Sequence, residues 1–344
     1  LGNGMKKPRK DPKSNTQPTS PVEVAEFERR LRLRAGDPEG LADFFAKRPI
    51  WTARVPARLD VMGGIADYSG ANVCEGTLGA GVLVAVQPRR DRLVRIRSVS
   101  LASRRLPVET RLPLDWLQAR GKSLSYGDVQ ALFRENHLAS WAAYAAGSLF
   151  ALLKEEQLRL RGGFDVLILS AVPMNAGVAS SAAVEIGTLS ALNACLGLEL
   201  DAARLARLGQ IAENRVVGAP CGIMDQIAIA SGRRGQLVHI LCRPGAVVGT
   251  VEIPAGTGFV GINSMVRHSV AAAPYGDVRI GAFMGKRILN DLRAREGLPA
   301  VKHLTEISDK EFAARSRHLP ETLRGAEFLK RYGSHGDAAT TMRP

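Results

Sequence analysis

A strand, a loop of small residues and a helix follow one another between Phe164 and Cys195, and this order constrains the fold most. Phe164 to Leu169 is an apolar run typical of a buried strand, and Ala182 to Cys195 has the apolar content of a buried helix. The loop between them, Pro173 to Ala183, is rich in small residues. Small residues let the backbone approach a bound anion, and free N–H groups at a helix start donate to phosphate oxygens. The segment predicts a phosphate-binding loop, although a small-residue helix packed tightly on a sheet gives the same pattern.

The phosphate loop also ends in two hydroxyl groups. Ser180 and Ser181 could bind phosphate oxygens or belong to the ligand shell of a Mg²⁺ ion. The segment has no Gly-Lys-Ser or Gly-Lys-Thr end, so it is not a Walker A loop.

A second informative segment runs from Pro56 to Tyr68 and contains a pair of glycines. Arg58 precedes Gly63 and Gly64, and Asp67 follows them, nine positions after the arginine. Such a turn can set a cation and a carboxylate beside a small polar substrate. Alone, the spacing suggests a binding site without identifying the ligand.

A third segment, Ala212 to Gln226, supplies two further carboxylates. Glu213 lies in a predicted helix, whereas Asp225 follows a turn with glycine and cysteine that can bring the chain back toward the phosphate loop. One carboxylate could hold Mg²⁺ and the other could face an acceptor hydroxyl group, since Mg²⁺ at a phosphate site usually has few protein ligands. Two isolated acidic residues more often belong to a solvated surface, but the apolar surroundings of Asp225 argue against that for this residue.

The composition restricts the class of protein. The chain of 344 residues is long enough for two domains, and its 45% hydrophobic and 23% charged residues are typical of a globular protein. No apolar run reaches the length of about 18 residues that indicates a membrane span, and no basic start with an apolar stretch indicates secretion. The 4 cysteines are scattered without a CxxC pair, which disfavours a disulfide framework or a zinc site. We therefore expect a cytoplasmic enzyme with reduced thiols.

The net charge of +14 raises the question of nucleic-acid binding. Lys and Arg are spread along the chain, and aromatic residues make up only 5%. We expect instead a basic surface that favours anionic small molecules, with no nucleic-acid or membrane partner. Nucleic-acid binding through the charge is kept as a lesser alternative, and the sequence predicts no oligomeric state.

Apolar patterning predicts a mixed order of strands and helices. Residues 1–20 are rich in Lys, Pro, Ser and Asn and are expected to be disordered. Strands are predicted at 51–55, 81–86, 93–97, 164–169, 236–241 and 258–262. Helices are predicted at 22–33, 41–45, 138–153, 182–195, 202–217, 277–295 and 309–332. This order favours a layered α/β sandwich over strict βαβ winding.

Together the three segments resemble the motifs of the GHMP family of small-molecule kinases, in its galactokinase and L-arabinokinase branch. The run from Cys221 to Gln226 is similar to the end of a long and specific galactokinase signature, and the phosphate loop is similar to the second GHMP motif. The resemblance covers roughly residues 50–335. It implies an α+β, two-domain GHMP kinase fold, with a ribosomal protein S5 domain 2-like N-terminal domain and an incomplete ferredoxin-like C-terminal domain. The implied division is a tail at 1–20, an ATP- and sugar-binding domain at 21–255 and a partial C-terminal domain at 256–344.

The resemblance also implies roles for the residues of the site. Asp225 and Arg58 would be catalytic, the first as general base or hydrogen-bond orienter for the anomeric hydroxyl of a sugar and the second by stabilising developing charge. Ser181 and Glu213 would hold Mg²⁺. The residues implied to bind ATP are Asn175, Ala176, Gly177, Val178, Ala179, Ser180 and Ser181, and those implied to bind the sugar are Gly64, Ile65, Asp67, Gly222 and Tyr275.

Two departures in the first motif predict which sugar is used. Galactokinases carry Glu and His where this chain has Gly64 and Ile65, and in that family the two residues contact the C6 hydroxymethyl group of galactose. L-Arabinopyranose has the same ring hydroxyl pattern without that group, so an apolar residue suits it. An apolar pocket rejects the added group only modestly. The expected activity is an ATP-dependent sugar 1-kinase for the anomeric hydroxyl group of L-arabinose or a galactose-like sugar, with L-arabinose preferred.

Further segments resemble the L-arabinokinase branch, namely Trp141 to Tyr144, Arg267 to Ser269, Tyr275 to Gly276 and Gly281 to Gly285. Within the second of them, His268 is expected to be structural rather than catalytic.

Two features leave a non-catalytic alternative open. In the phosphate loop, Asn175, Ala176 and Ala179 stand where galactokinases usually have more glycine and a third serine, and a Cβ at a position that needs a positive φ is strained, least so for Asn. The glycine-rich third GHMP motif is also missing, since no Gly-Gly-Gly occurs. We expect either a fragment or a truncated gene with an impaired product. The alternative function is a sugar- and nucleotide-binding sensor or an inactive remnant of a kinase.

Overall fold

The computed structural model of the chain describes residues 21–33, 36, 41–104, 107–119, 124–135, 141–262, 273–340 and 342. The expected disordered tail at 1–20 lies outside the described residues, as does the segment from Arg267 to Ser269 with its His268.

Seven strands of the described residues form one sheet around the long strand β2. They are β1 Trp51–Met62, β2 Asn72–Pro88, β3 Leu93–Ser98, β4 Glu109–Pro113, β5 Phe164–Ser170, β6 Gln236–Leu241 and β7 Ala246–Glu252. β2 pairs antiparallel with β1 along most of its length, with β6 over its first half and with β5 over its second half. The order is β4-β3-β5-β2-β6-β7, and β3 with β5 is a parallel pair. The central position of β2 explains why this strand is apolar on both faces from Val82 to Val86, where all five residues are buried.

The helices described in the chain are α1 Pro21–Arg32, α2 Tyr126–Glu135, α3 Ala142–Glu155, α4 Ser180–Leu196, α5 Ala202–Ala212, α6 Met224–Ser231, α7 Ala273–Arg295, α8 Asp309–Ser316 and α9 Gly325–Tyr332. α4 lies against β1 and β2 on one face of the sheet, with α3 and α5 packed behind it. Gly187 allows this approach, because a Cβ there would lie 2.9 Å from Cγ2 of Val84 and 3.3 Å from Cγ2 of Val55. The helix that follows the phosphate loop is therefore seated directly on the central strands.

The opposite face of the sheet is covered by the residues that precede β1. Phe27 on α1 and Phe44 are each 1% exposed and pack with Leu83, Ala85 and Leu167 of the sheet. Arg95 of β3 adds a cation–π contact, with its guanidinium carbon 4.0 Å from the Phe44 ring centre. Residues before the first predicted strand thus complete the second hydrophobic layer.

This cover generates a prediction about stability. Phe27→Ala removes a fully buried ring and should lower the free energy of unfolding by about 3–5 kcal/mol, since it leaves a cavity against the sheet. The matched control is Phe312→Ala on α8, where the side chain is 46% exposed, and it should cost less than about 1 kcal/mol. Urea unfolding of both variants measures the difference, and equal losses would contradict the role of α1.

Most predicted elements are present, five of them with bounds within two residues of the prediction, whereas β1, β2 and α7 run several residues beyond the predictions at 51–55, 81–86 and 277–295. β3, β5, β6, α1 and α4 correspond to the predictions at 93–97, 164–169, 236–241, 22–33 and 182–195. The predicted helix at 309–332 is wrong as one element, because Pro320 separates α8 from α9. The predicted helix at 41–45 is a single 3₁₀ turn, Ala42–Phe44, and the one at 202–217 ends as a π-helical turn, Glu213–Val217. Strands β4 and β7 and helices α2 and α6 were not predicted.

The strand predicted at 258–262 is also wrong. These residues are irregular and exposed, with Phe259 50%, Val260 87% and Ile262 90% accessible. A β-branched run forms a strand only where a neighbouring strand accepts its hydrogen bonds, and none pairs with it among the described residues. The strand β7, at the edge of the sheet, likewise exposes Val247, Val248 and Val251.

The predicted division of the chain at residue 255 stays a prediction. Among the described residues, no helix combines the length and the apolar character needed to cross a bilayer.

Candidate active site

A buried ion pair joins the first and third motifs. Arg58 on β1 is 7% exposed, and its Nε and Nη2 donate to Oδ1 of Asp225 over 2.8 and 2.5 Å. Asp225 lies in the first turn of α6. The turn after Gly218 brings the chain back to the sheet, where this helix begins. Both hydrogen bonds use one carboxylate oxygen, so Oδ2 is free of Arg58. The two residues predicted to be catalytic are therefore in direct contact.

Arg58 also fixes the phosphate loop. Its Nη1 donates to the carbonyl of Gly177 over 2.7 Å, and its backbone N–H donates to the carbonyl of Val178 over 3.3 Å. Burial disfavours the charged guanidinium, but the nearby Asp225 and Glu75 outweigh this effect and raise the pKa of Arg58. One arginine thus stays charged and holds β1, the loop and α6 together.

The phosphate loop adopts left-handed backbone conformations at three positions. Gly177 has φ +74°, but Asn175 and Ala179 have φ +58° and +56° although both carry a Cβ. Two of the three departures, Asn175 and Ala179, therefore fall on positions that favour glycine, and the backbone strain is about 1 kcal/mol or more at Ala179 and smaller at Asn175. Ala179 precedes α4 and offers no side-chain cap. The N–H groups that begin α4 at Ser180 and Ser181 are left available to an anion.

Glu213 lies beside the start of α4. It is 4% exposed in the π-helical turn after α5, and Oε2 accepts from Nε2 of Gln226 over 2.7 Å. Burial, and then the charge of Asp225, raise the pKa of Glu213 to about 7, against hydrogen bonds from Ser181, Cys221 and Gln226 that lower it. The predicted metal residues Glu213 and Ser181 are thus adjacent.

The oxygen atoms of these two residues suit Mg²⁺. A hydroxyl and a carboxylate are hard ligands, and Mg²⁺ at phosphate sites takes few protein ligands together with phosphate oxygens and water. Within the described residues, no group of three or more His, Cys, Asp or Glu side chains gathers to hold a metal ion. The pair therefore fits an ion shared with a bound phosphate and not a closed protein cage.

The side chain of Asp67 occupies space beside Gly222 that a side chain at position 222 would fill. A Cβ on Gly222 would lie 1.6 Å from Oδ2 of Asp67, so any other residue there would have to displace this carboxylate. Asp67 is 5% exposed, and Oδ1 accepts from the backbone N–H of Tyr68 over 2.8 Å. Burial, followed by the charge of Asp225, raises the pKa of Asp67 to about 6. Two residues predicted to bind the sugar, 155 positions apart in the sequence, are therefore in contact.

The other predicted sugar residues lie around Asp67. Tyr275 on α7 packs edge-on against Tyr68, with ring centres 6.2 Å apart, and burial followed by the charge of Asp67 raises its pKa. Gly64 has φ +58° and donates its N–H to Oδ2 of Asp60 over 2.7 Å. Ile65 is 44% exposed, at the open side of this turn.

Sequence reasoning missed Arg279, which holds the turn before Asp225. Nη1 of Arg279 donates to the carbonyls of Pro220 and Cys221 over 3.0 Å each. Its other nitrogens donate to both carboxylate oxygens of Asp337 over 2.7 and 2.8 Å, and its guanidinium lies 5.2 Å from the centre of the Tyr68 ring. No sequence pattern around Arg279 pointed to this role.

Glu185 and Gln226 were also missed. Glu185 on α4 is fully buried, and Nε2 of Gln226 donates to it over 3.1 Å while also binding Glu213. Burial and the charge of Glu213 raise the pKa of Glu185 well above its ordinary value. A signal was present, since Glu185 is a single acidic residue within an apolar helix four positions after Ser181.

The contact between Asp67 and Gly222 yields a prediction. Gly222→Ala should lower the free energy of unfolding by about 1–3 kcal/mol, because the new methyl group must displace a buried carboxylate. Gly276→Ala on α7 is the matched control: a Cβ there meets nothing within 4 Å, so helix propensity should make it neutral or stabilising. Chemical denaturation compares the two. A Gly222→Ala protein as stable as the wild type would contradict the contact.

Comparison with known proteins adds to this geometry. Residues 142–233 match the model of the GHMP kinases N terminal domain. The chain is 34% identical to L-arabinokinase from Arabidopsis thaliana over 340 residues, which covers 85% of this chain and 33% of that relative. It is 32% identical to a galactokinase from Chloroflexus aggregans over 280 residues, which covers 81% of this chain and 64% of that relative.

A solved structure shares the fold. The crystal structure of Lactococcus lactis galactokinase complexed with galactose superposes with a TM-score of 0.64, over 87% of this chain and 68% of that chain, at 21% identity. This chain spans one third and somewhat under two thirds of the lengths of the two curated relatives.

Proposed function

Because this chain carries the GHMP kinase N-terminal domain and has the GHMP kinase fold, we propose that it is an ATP-dependent sugar kinase. The observation that carries the proposal is the contact of Arg58 with both Asp225 and the carbonyl of Gly177. Through Arg58, the carboxylate of Asp225, which can face an acceptor hydroxyl group, lies beside a loop suited to bind phosphate. A phosphotransferase with an alcohol acceptor needs these two elements side by side.

Asp225 and Arg58 divide the chemistry of the transfer. Oδ2 of Asp225 accepts the hydrogen bond of the sugar hydroxyl and takes its proton as the new O–P bond forms and the bond between the β- and γ-phosphates of ATP breaks, releasing ADP. Oδ1 stays bound to Arg58, which keeps the carboxylate oriented. The guanidinium also offsets negative charge that develops on the transferred phosphoryl group. The side chain of Asp225 is 23% exposed, so a substrate can reach it.

The phosphate loop and the acidic residue behind it would hold the nucleotide. Backbone N–H groups from Asn175 to Ser181 face the phosphates, with the helix α4 dipole favouring negative charge. Ser181 and Glu213 would hold Mg²⁺, which supplies charge neutralisation between the β- and γ-phosphates when it is bound. Residues 21–255 would form the unit that binds both substrates.

Asp225→Asn tests the assignment directly. The amide keeps an oxygen for Arg58 but cannot take a proton, so kcat should fall by about 10²–10⁴-fold, with the fold intact by circular dichroism. Asp277→Asn on α7, an exposed position, is the matched control and should keep wild-type turnover. Release of ADP over a panel of pentoses and hexoses is the measurement. Wild-type turnover in Asp225→Asn would refute the role of this carboxylate.

The sugar is proposed to be L-arabinose or a galactose-like sugar, phosphorylated at its anomeric hydroxyl group. Asp67, held by Tyr68 N–H beside Gly222, would accept hydrogen bonds from ring hydroxyl groups. Tyr275 would line the pocket. The apolar Ile65 beside Gly64 offers no hydrogen-bond partner to a C6 hydroxymethyl group, which favours a pentopyranose. The names of both curated relatives agree with a sugar of this stereochemical class.

Ile65→His, alone and together with Gly64→Glu, tests this preference. A polar partner for the C6 hydroxyl group should raise kcat/KM for galactose relative to L-arabinose roughly tenfold. The double variant carries added strain, because Gly64 has φ +58°, so the single variant gives the cleaner comparison. Ile65→Leu keeps the pocket apolar and is the control. An unchanged ratio in both histidine variants would overturn the C6 argument.

A non-catalytic binding protein is the second candidate. The strained Asn175 and Ala179 favour it, since they alter a loop that must accept phosphate oxygens closely. Calorimetry with MgATP and sugar separates the two functions. Binding of both ligands without ADP release from any sugar would support the second candidate and reject the kinase.

A further inference from the structure

Glu75 lies buried near the start of β2, and neither the sequence motifs nor the proposed reaction gives it a role. Its exposure is 0%, and neither carboxyl oxygen has a hydrogen-bond partner of ordinary geometry among the described residues. A buried polar group without partners is costly, roughly 1–3 kcal/mol in protein variants. The groups around Glu75 explain how this carboxyl group is tolerated on the central strand.

Glu75 is surrounded by Arg58, by its partner Asp225 and by β1, the strand that carries Arg58. Asp60 of β1 stands directly opposite Glu75 in the antiparallel register. Nε of Arg58, two positions before Asp60 and on the same face, lies 3.4 Å from Oε2 of Glu75. Gly63 leaves the space for both acids, since a Cβ there would lie 3.0 Å from Oε1 of Glu75 and 3.1 Å from Oδ1 of Asp60. The two carboxyl groups therefore share one small compartment behind Arg58.

One cation cannot balance the acids that surround it. Arg58 faces Asp225, Glu75 and Asp60. Burial raises the pKa of Glu75 to about 9; Arg58 opposes this rise, whereas Asp60 and Asp225 add to it. The titratable or charged groups that face Glu75 are Arg58 and Asp60 on β1, Cys74 on its own strand, Asp225 on α6 and Cys242 just after β6. Glu75 consequently holds a proton at neutral pH.

The second acid of the compartment leads to the sugar side of the site. Oδ2 of Asp60 accepts the N–H of Gly64 over 2.7 Å, which holds the left-handed residue of the turn. That turn carries Ile65 and leads to Asp67. A continuous path runs from Asp225 through Arg58, Glu75 and Asp60 to the backbone of the turn.

We propose that Glu75 is a positioning residue whose un-ionised carboxyl group shares its proton with Asp60 and so leaves Arg58 paired with Asp225. Loss of the proton places a second carboxylate 3.4 Å from the guanidinium, which draws Arg58 away from Asp225 and loosens the turn at Gly64. This role rests on the proposed kinase activity. It goes beyond that activity by making the orientation of the reactive pair depend on a buried acid that no substrate touches.

Two substitutions separate the proton from the shape of the side chain. Glu75→Gln keeps the size and a hydrogen-bond donor but cannot ionise, so kcat at pH 7 should stay within about twofold of the wild type. Glu75→Leu fills the space without a donor and leaves the carboxyl group of Asp60 without this neighbour beside Arg58. Its kcat should fall about tenfold or more, with the KM for ATP nearly unchanged, because the loop contact with Gly177 does not involve Glu75. A Glu75→Leu enzyme with wild-type kcat would overturn the proposal.

The pH profile of kcat is the readout that a merely structural role would not move. In the wild type, kcat should decline on the alkaline side and be about tenfold lower one unit above the pKa of Glu75. Glu75→Gln should lack this decline. Cys74→Ala, which removes the neighbouring thiol on the same strand, should keep it. An alkaline decline in Glu75→Gln equal to that of the wild type would refute the role of the proton.

A measurement without turnover keeps this inference distinct from the proposed function. Glu75 has a pKa of about 9 when folded and an ordinary value of 4.5, so its contribution to stability is full below pH 4.5 and is lost as the pH rises to about 9. Glu75→Gln lacks this loss, and its urea midpoint should rise relative to the wild type between pH 5.5 and 8.5. A constant difference in midpoint would show that Glu75 is ionised at neutral pH and would overturn the inference. A wild-type protein inactive on every sugar would instead reject the kinase, and the positioning role with it, while the midpoints would still register the proton.

Discussion

The fold of the site depends on how one buried guanidinium is satisfied. Arg58 sits in the interior, where an unpaired charge would cost several kcal/mol. Arg58 lies on β1, and its hydrogen-bond partners come from the loop before α4 and from the first turn of α6. Because one planar guanidinium bonds to both, it restricts how the loop and α6 lie relative to β1. The requirement to neutralise Arg58 therefore sets the distance between the phosphate loop and Asp225.

Local sequence indicated candidate site residues where they lie within contiguous runs. The phosphate loop, Asp67 and the turn before Asp225 stand out because small residues and single acids interrupt apolar stretches. The GHMP resemblance then supplied the fold, which the family match and the galactokinase structure confirm. The roles given to individual residues stay predictions, although the structure brings Arg58 and Asp225 into contact.

The other residues of the site could not be predicted from the sequence, because their contacts are with residues that are distant along the chain. Glu75 lies outside the strand predicted at 81–86, and its neighbours become known only when β1 sets Asp60 opposite it. Arg279 gains meaning only when α7 reaches the carbonyls of Pro220 and Cys221, nearly sixty positions earlier. The exposed run at Phe259 shows the opposite error, since its residues favour a strand that has no partner among those described. The net charge of +14 likewise gave no indication of the interior, where buried acidic residues lie near Arg58 and Asp225.

The link between Arg279 and Asp337 has a consequence for how the chain matures. The turn before Asp225 is clamped by an arginine whose own charge is balanced by a carboxylate 58 positions later. A ribosome releases the chain from its beginning, so the phosphate loop and α6 emerge well before Asp337. Until Asp337 has been synthesised, the positive charge of Arg279 lacks the carboxylate that balances it in the folded protein. The turn before Asp225 therefore receives its full set of contacts only after Asp337 has been synthesised, later than the sheet beneath it can form.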